Sequence, residues 1–130
     1  MALLPPLHIV GVPFNSAGLS SGVARAPTAL RRAGLIEKLE AVATALVDRG
    51  DVQLGRTSPT RHAASHVIAP GALASMIVMV RAEVEAAMDA GAFPLVVGGD
   101  CPVLLGCLGA RSLHAPRGLI FVDGHEDAWP

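Results

Sequence analysis

The sequence predicts an α/β fold in which helices and a parallel β-sheet form three layers, α/β/α. Apolar residues make up 52% of the 130-residue chain before its 14 glycines are added, whereas an average domain reaches about 45–50% with glycine included. Charged residues contribute 16%, where about 25% is usual. Apolar runs alternate with helical patterns in the order β-α-β-α-β-α-β, which favours parallel strands joined by right-handed crossovers. The composition agrees, because parallel strands are buried on both faces.

The chain opens with a predicted strand, a loop and a helix. Leu7–Val12 is a short apolar run that ends at Pro13, as expected for a buried strand. A loop rich in glycine and serine follows. The helix begins at Pro27, because proline suits a first turn in which its missing N–H would be unpaired anyway. It ends near Arg32, and Gly34 follows as a helix terminator.

The middle of the chain is predicted to form a second strand, a loop and the longest helix. Ala41–Val47 is rich in alanine and β-branched residues, and the charged segment Asp48–Asp51 ends it. Gln53–Ser65 has no periodicity and is predicted to be a loop. Pro70–Ala90 is predicted to be a helix, because apolar residues recur at spacings of three and four. This stripe consists of Leu73, Met76, Ile77, Val80, Val84, Ala87 and Met88.

The last part repeats the pattern. Pro94–Val97 is predicted to be the third strand, and Gly98–Asp100 a tight turn. The next helix is predicted over Cys101–Leu113, with Pro102 in its first turn. Gly118–Asp123 is predicted to be the fourth strand.

Charge and cysteine content exclude several classes of protein. The formal charge is −1, so we expect neither a nucleic-acid nor a membrane partner. Residues 1–24 carry no charge, but prolines interrupt their apolar stretch and no basic segment precedes it, which argues against a secretory signal. Cys101 and Cys107 are predicted to lie about 9 Å apart on one helix, too far for a disulfide. We therefore expect a cytoplasmic protein with reduced thiols.

The segment that follows the fourth predicted strand is the strongest candidate for a metal site. Side chains alternate along an extended chain, so Asp123, His125 and Asp127 are predicted to point to one side. Two carboxylates and an imidazole at the end of a buried strand are plausible ligands for a divalent ion. The alternative interpretation is a polar loop, since short D-x-H-x-D matches also arise by chance.

The turn after the third predicted strand is the second candidate. Its glycines allow a sharp bend, and Asp100 is expected to cap the following helix. Cys101 would lie at the helix N-terminus, where the dipole favours a thiolate that could act as a ligand or a nucleophile. The alternative is that Cys101 is a small buried hydrophobe, which is the expectation for Cys107. The turn lacks the G-x-G-x-x-G pattern of dinucleotide-binding folds.

Together these motifs resemble the ureohydrolase family, which includes arginase, agmatinase and formimidoylglutamase. The likeness covers essentially the whole chain. It is carried by an opening strand and loop, a D-x-G-D segment, a G-G-D-H-like turn and a D-A-H-x-D-like segment, which here are Gly11–Phe14, Asp48–Val52, Gly98–Cys101 and Phe121–Asp127. Each piece is weak alone, and their order makes the resemblance specific.

The resemblance implies an arginase-like fold and hydrolysis of a non-peptide C–N bond in a guanidino or amidino compound. Two manganese ions would activate a shared water, and the metal-bound hydroxide would attack the substrate carbon. Carried over, Asp123 would bridge both ions, Asp127 and Cys101 would complete the first site, and His125 would bind the second ion. The resemblance also implies a homo-oligomer. No catalytic residue beyond these ligands is assigned.

Two departures from the family pattern keep other interpretations open. Cys101 replaces the family's histidine. A thiolate ligand there would favour zinc or iron over manganese, and the alternative is that this metal site stays empty. The chain reaches Pro130 without the family's later S-x-D-x-D-x-x-D-P segment, so we expect residues 1–130 to be the N-terminal portion of a single, truncated domain. The resemblance also implies that Trp129 stands where arginases tend to carry a polar residue for the amino-acid end of the substrate, so arginine is a less favoured substrate. The alternatives are a non-catalytic remnant with a degraded metal site and, from another class, an α/β phosphate-binding module, although no basic residue lies between Arg81 and Arg111.

Overall fold

The computed structural model describes residues 3–110 and 118–123, and the described chain forms a parallel sheet with helices. Three strands pair in the order β2-β1-β3, all parallel. They are joined by helices of which α3 is the longest. The elements are β1 (Leu7–Gly11), a 3₁₀ turn (Gly22–Arg25), α1 (Ala26–Arg32), α2 (Leu35–Glu40), β2 (Leu46–Asp51), α3 (Pro70–Asp89), β3 (Phe93–Val97) and α4 (Val103–Leu108). The predicted α/β class with a parallel sheet is confirmed.

The core lies between the central strand and α3. Val10 of β1 is completely buried and belongs to one apolar cluster with Met76 and Val80 of α3. The predicted periodic stripe of α3 faces this core, since Val84 and Ala87 are also buried. α4 packs on α3 at Gly106, where an added Cβ would lie 2.6 Å from Val80 Cβ. The two helices can therefore approach closely only because that residue is glycine.

The prediction for the second strand was wrong in position. The strand spans Leu46–Asp51 instead of Ala41–Val47, so the charged segment that was expected to end it lies inside it. β2 is an edge strand with an exposed middle, where charged side chains can remain in contact with water. A short helix, α2, was missed, because Gly34 adopts a left-handed conformation (φ 86°) and a new helix starts directly after it.

The last two predicted elements also differ from the structure. α4 covers Val103–Leu108, shorter than predicted, because Pro102 precedes its first turn and Gly109 directly follows it. Residues 118–123 are exposed and form no strand, so the fourth strand was predicted wrongly. A strand requires a neighbouring backbone for its hydrogen bonds, and β3 pairs with β1 but not with this segment. Residues 111–113, the predicted end of the helix, lie outside the described part.

The longest predicted helix and the third predicted strand are confirmed almost to the residue. The helix predicted over Pro70–Ala90 spans Pro70–Asp89, and the third strand predicted from Pro94 begins at Phe93. Gln53–Ser65 contains neither helix nor strand, apart from an isolated bridge at Arg61, as predicted for a loop. Within the described residues, no helix combines the length and apolar character needed to cross a membrane.

Candidate functional site

The candidate site lies where β1 and β3 end at the same edge of the sheet. Because these strands are parallel neighbours, the loop after β1 and the turn after β3 emerge side by side, which is where open α/β sheets place their sites. Cys101 is exposed there. Its Sγ lies 4.0 Å from Asp123 Oδ2, so the fold brings together a thiol and a carboxylate that are 22 residues apart.

The other two predicted ligands, His125 and Asp127, lie outside the described residues. Their alternation with Asp123 therefore stays a prediction. Among the residues that the structure describes, no group of three or more histidine, cysteine or acidic side chains is close enough together to hold a metal ion. The described donors are the pair formed by Cys101 and Asp123.

The chemistry of this pair fits a divalent ion unevenly. A carboxylate oxygen is a hard ligand that suits manganese, whereas a thiolate is soft and suits zinc. With bond lengths of roughly 2.3 Å to sulfur and 2.1 Å to oxygen, two donors on one tetrahedral ion lie about 3.6 Å apart. The observed 4.0 Å between Cys101 Sγ and Asp123 Oδ2 is close to that separation. Asp123 therefore suits the family's metal, and Cys101 suits a softer one.

Two glycines shape the turn that carries Cys101, as predicted. Gly98 and Gly99 both have left-handed backbones, with φ values of 92° and 74°. A Cβ on Gly98 would lie 2.5 Å from Cγ and Cδ of Pro27 in α1. A Cβ on Gly99 would lie 3.2 Å from the carbonyl oxygen of Val12. The turn is therefore pressed against both the first helix and the end of the first strand.

Asp100 does not cap α4, so that prediction was wrong. Pro102 occupies the N-cap position, and no side chain caps the helix. Instead Asp100 Oδ2 accepts hydrogen bonds from the backbone N–H of Ser16, at 2.7 Å, and from the Ser16 hydroxyl. The carboxyl group thereby connects the turn to the loop after β1. Sequence reasoning missed Ser16, because a serine in a glycine-rich loop carries no signal of a partner 84 residues away.

The D-x-G-D segment has a structural function in this fold. Arg31 of α1 binds Asp48 through two hydrogen bonds of 2.8 Å and Asp51 through one of 2.5 Å. The guanidinium group holds the pKa of Asp48 below its usual value, mainly through these hydrogen bonds, and the pKa of Arg31 is raised in turn. Gly11 leaves room for the cluster, since a Cβ there would lie 1.8 Å from Asp51 Oδ1. The segment thus attaches α1 to the sheet edge.

The two cysteines differ in environment. Cys107 is 7% exposed and belongs to the apolar core, and burial raises the pKa of its thiol. It behaves as the buried hydrophobe that was predicted. Cys101 is exposed, so the interpretation of Cys101 as a buried hydrophobe is wrong.

A mostly apolar cavity adjoins the Cys101 and Asp123 pair. Its volume is about 610 Å³, and both residues contribute to its wall. Apolar side chains from α3, β3, α4 and residues 118–123 form most of the remaining lining, among them Val84, Phe93, Leu104 and Phe121. The volume lies in the range of small-molecule sites. The polar side chains of Asp100, Cys101 and Asp123 in an otherwise mostly apolar wall could orient a small polar ligand.

Comparisons with known proteins agree with the motifs. The Arginase family model matches residues 6–130. Arginase from Bacillus caldovelox is 33% identical over 126 residues, which are 95% of this chain and 42% of that protein. Human arginase-1 is 32% identical over 122 residues, covering 93% of this chain and 38% of that protein.

Solved structures give the same result. The Bacillus caldovelox arginase structure superposes with a TM-score of 0.76, covering 86% of this chain and 38% of that one at 33% identity. A Bacillus subtilis arginase structure has a TM-score of 0.69 at 27% identity, covering 84% of this chain and 36% of that one. The chain therefore spans about two fifths of the length of the curated relatives it matches.

Proposed function

We propose, since the chain belongs to the arginase family, that it supplies part of a metal-dependent centre that hydrolyses a C–N bond in a guanidino or amidino compound. In this proposal residues 1–130 form the N-terminal portion of a single ureohydrolase-like domain. A homo-oligomeric assembly and a cytoplasmic location belong to the same proposal.

The observation that supports this function best is the approach of Cys101 to Asp123. The two residues occupy the family's G-G-D-H and D-A-H-x-D motif positions, and their Sγ and Oδ2 atoms lie 4.0 Å apart. Both line the cavity described above. A donor pair at the end of a parallel sheet, beside a pocket of this volume, is an arrangement in which a small substrate could meet a bound ion.

Each proposed ligand has its own part. In the family's pattern Asp123 would be a ligand shared by both metal sites, and Asp127 and Cys101 would complete one site. His125 would hold the second ion. When bound, a divalent ion supplies an activated water at neutral pH. The apolar wall formed by residues such as Phe93 and Leu104 would exclude bulk water and so strengthen these electrostatic interactions.

The metal content depends on Cys101. Manganese gains little from a sulfur ligand, so we propose that the protein holds close to one manganese ion per chain, on the His125 side. Zinc or iron would occupy the Cys101 side more readily, because a thiolate prefers them. Elemental analysis after equilibration with manganese tests this. Cys101→His should raise the content towards two ions, whereas Cys107→Ser should leave it unchanged.

The ligand assignment is tested by a pair of substitutions in one motif. In the complete protein, Asp123→Ala should release the metal and lower urea release from guanidino substrates by several orders of magnitude, because the activated water is lost. Glu126→Ala is the matched control, because the predicted alternation would direct residue 126 to the opposite side. Equal losses in both variants, or an unchanged metal content in Asp123→Ala, would contradict the assignment.

A non-catalytic relative is the second candidate function, and Cys101 is the observation that favours it. A family ligand replaced by an exposed thiol is also the result expected of a site released from catalytic selection. In that case the complete protein would bind no manganese at micromolar concentration and would release no urea, and Cys101→His would restore neither property.

A further inference from the structure

We infer that Ser16 and Asp100 are positioning residues that fix the Cys101 thiol beside Asp123. The hydrogen bonds between them connect the loop after β1 to the turn after β3. Asp100, which accepts these bonds, directly precedes Cys101 in the chain. The inference rests on the proposed function for its purpose, because it treats Cys101 and Asp123 as a donor pair. Its test does not require catalysis.

Asp100 is held by one oxygen and not by the other. Oδ2 accepts both bonds from Ser16, while Oδ1 is buried and has no hydrogen-bonding partner among the residues that the structure describes. An unsatisfied buried oxygen lowers folding stability, so this carboxyl group is poorly suited to a purely stabilising function. Such departures concentrate at functional sites, where the surrounding structure holds them. The Asp100 carboxyl group does link the turn after β3 to the loop after β1 through its hydrogen bonds to Ser16.

Ser16 is itself held in place, so it can act as an anchor. Asn15 Nδ2 donates to the carbonyl oxygen of Ser21 at 2.9 Å, and Asn15 Oδ1 accepts from the Ala17 N–H at 2.9 Å. These bonds close the loop on both sides of Ser16. An acceptor bound to Ser16 is therefore bound to an ordered segment.

The turn on the opposite side of Asp100 is equally restricted. Gly98 lies against Pro27, and Gly99 lies against the end of β1 at Val12. Gly98, Gly99 and Asp100 directly precede Cys101, so the backbone that leads into Cys101 is held at three successive residues. Groups that orient a metal ligand in this way typically change metal affinity by roughly 10–100-fold when removed.

Cadmium binding provides the test, because a thiolate bound to cadmium gives an ultraviolet charge-transfer absorption that reports the S–Cd bond directly. The unchanged protein should show this absorption on titration with Cd²⁺, and Cys101→Ser should abolish it. Ser16→Ala should raise the Kd for Cd²⁺ by roughly tenfold or more. Ser16→Thr, which keeps the hydroxyl donor, should restore the affinity. Ser20→Ala, in the same loop, is the matched control.

A double-substitution cycle separates positioning from general stability. If the link between Ser16 and Asp100 acts through the Cys101 thiol, Ser16→Ala should change the affinity for Cd²⁺ when Cys101 is present and not in the Cys101→Ser background. Asp100→Ala removes the acceptor of both bonds and should lower the affinity at least as much as Ser16→Ala, whereas Asp89→Ala, which removes an exposed carboxyl group on α3, should have no effect. If Asp100→Ala fails to fold, the Ser16 variants decide the result.

Three outcomes would overturn the inference. They are an unchanged affinity in Ser16→Ala, an equal loss in Ser16→Ala and Ser16→Thr, or no charge-transfer absorption in the unchanged protein. Failure of the proposed function would be seen differently, as absent urea release from a protein in which the Cd²⁺ results hold.

Discussion

Gly98→Ala is the substitution that tests most directly how the candidate site is built. The φ of 92° costs an alanine about 1–2 kcal/mol. Its Cβ would also lie 2.5 Å from two carbon atoms of Pro27, where about 3.5–4.0 Å is the favourable separation. Relief of such overpacking typically costs about 1–3 kcal/mol. We therefore expect a loss of about 3 kcal/mol, measured by urea denaturation followed by circular dichroism.

Gly91→Ala is the matched control for this loss. Gly91 has a similar φ of 71°, but a Cβ there would meet no atom within 4 Å, so only the backbone cost of about 1–2 kcal/mol should appear. Replacing Pro27 by alanine as well should reduce the cost of Gly98→Ala, since the two contacting carbons are then absent. Equal losses at residues 98 and 91, or strictly additive effects with Pro27→Ala, would show that the turn is not pressed against α1.

Two further predictions concern the rest of the fold. Arg31→Ala should lower the free energy of unfolding by about 2 kcal/mol, because charge-assisted hydrogen bonds to two carboxylates are lost, whereas exposed Arg32→Ala should stay within about 0.5 kcal/mol in the same denaturation assay. The pKa of Asp48 is lowered in the folded state, so the stability that Asp48 contributes is present above its unfolded pKa of about 3.9 and is lost as the pH falls through its folded pKa. Arg31→Ala should therefore reduce the loss of folding stability at acid pH. An unchanged dependence of stability on pH would contradict the ion pair. Val122 is 90% exposed in an apolar segment, and an exposed apolar patch favours self-association. Val122→Lys should therefore lower the light scattering of the protein without lowering its melting temperature, and unchanged scattering would show that this segment does not drive self-association.

The elements that the sequence predicted well are those whose signal is local. α3 was located to within a residue because one apolar stripe runs through it, with Pro70 at its start and Gly91 just after its end. β1 and β3 were found because central and buried strands are continuous apolar runs. In each case the residues that form the element also carry the information that identifies it.

The elements that were misplaced depend on distant partners. Asp48 and Asp51 look like the end of a strand because charge is unfavourable in a buried sheet, yet they lie inside β2 because Arg31 neutralises them from α1. Residues 118–123 have a strand-like composition but form none in the described chain, since no backbone pairs with them there. Neither fact is visible in a window of neighbouring residues.

The candidate site shows both kinds of dependence. Sequence reasoning placed Cys101 and Asp123 just after predicted strands. β3 does end shortly before Cys101, but residues 118–123 form no strand, so parallel topology accounts for the position of Cys101 and not for its approach to Asp123. The meeting distance, however, is set by contacts that no motif displays, above all the link from Ser16 to Asp100. The proposed ligands can be found in the sequence by their chemical type, whereas the residues that position them are serines, aspartates and glycines that no motif singles out. A substitution in the second group should therefore be judged by what it does to Cys101 and not by stability alone.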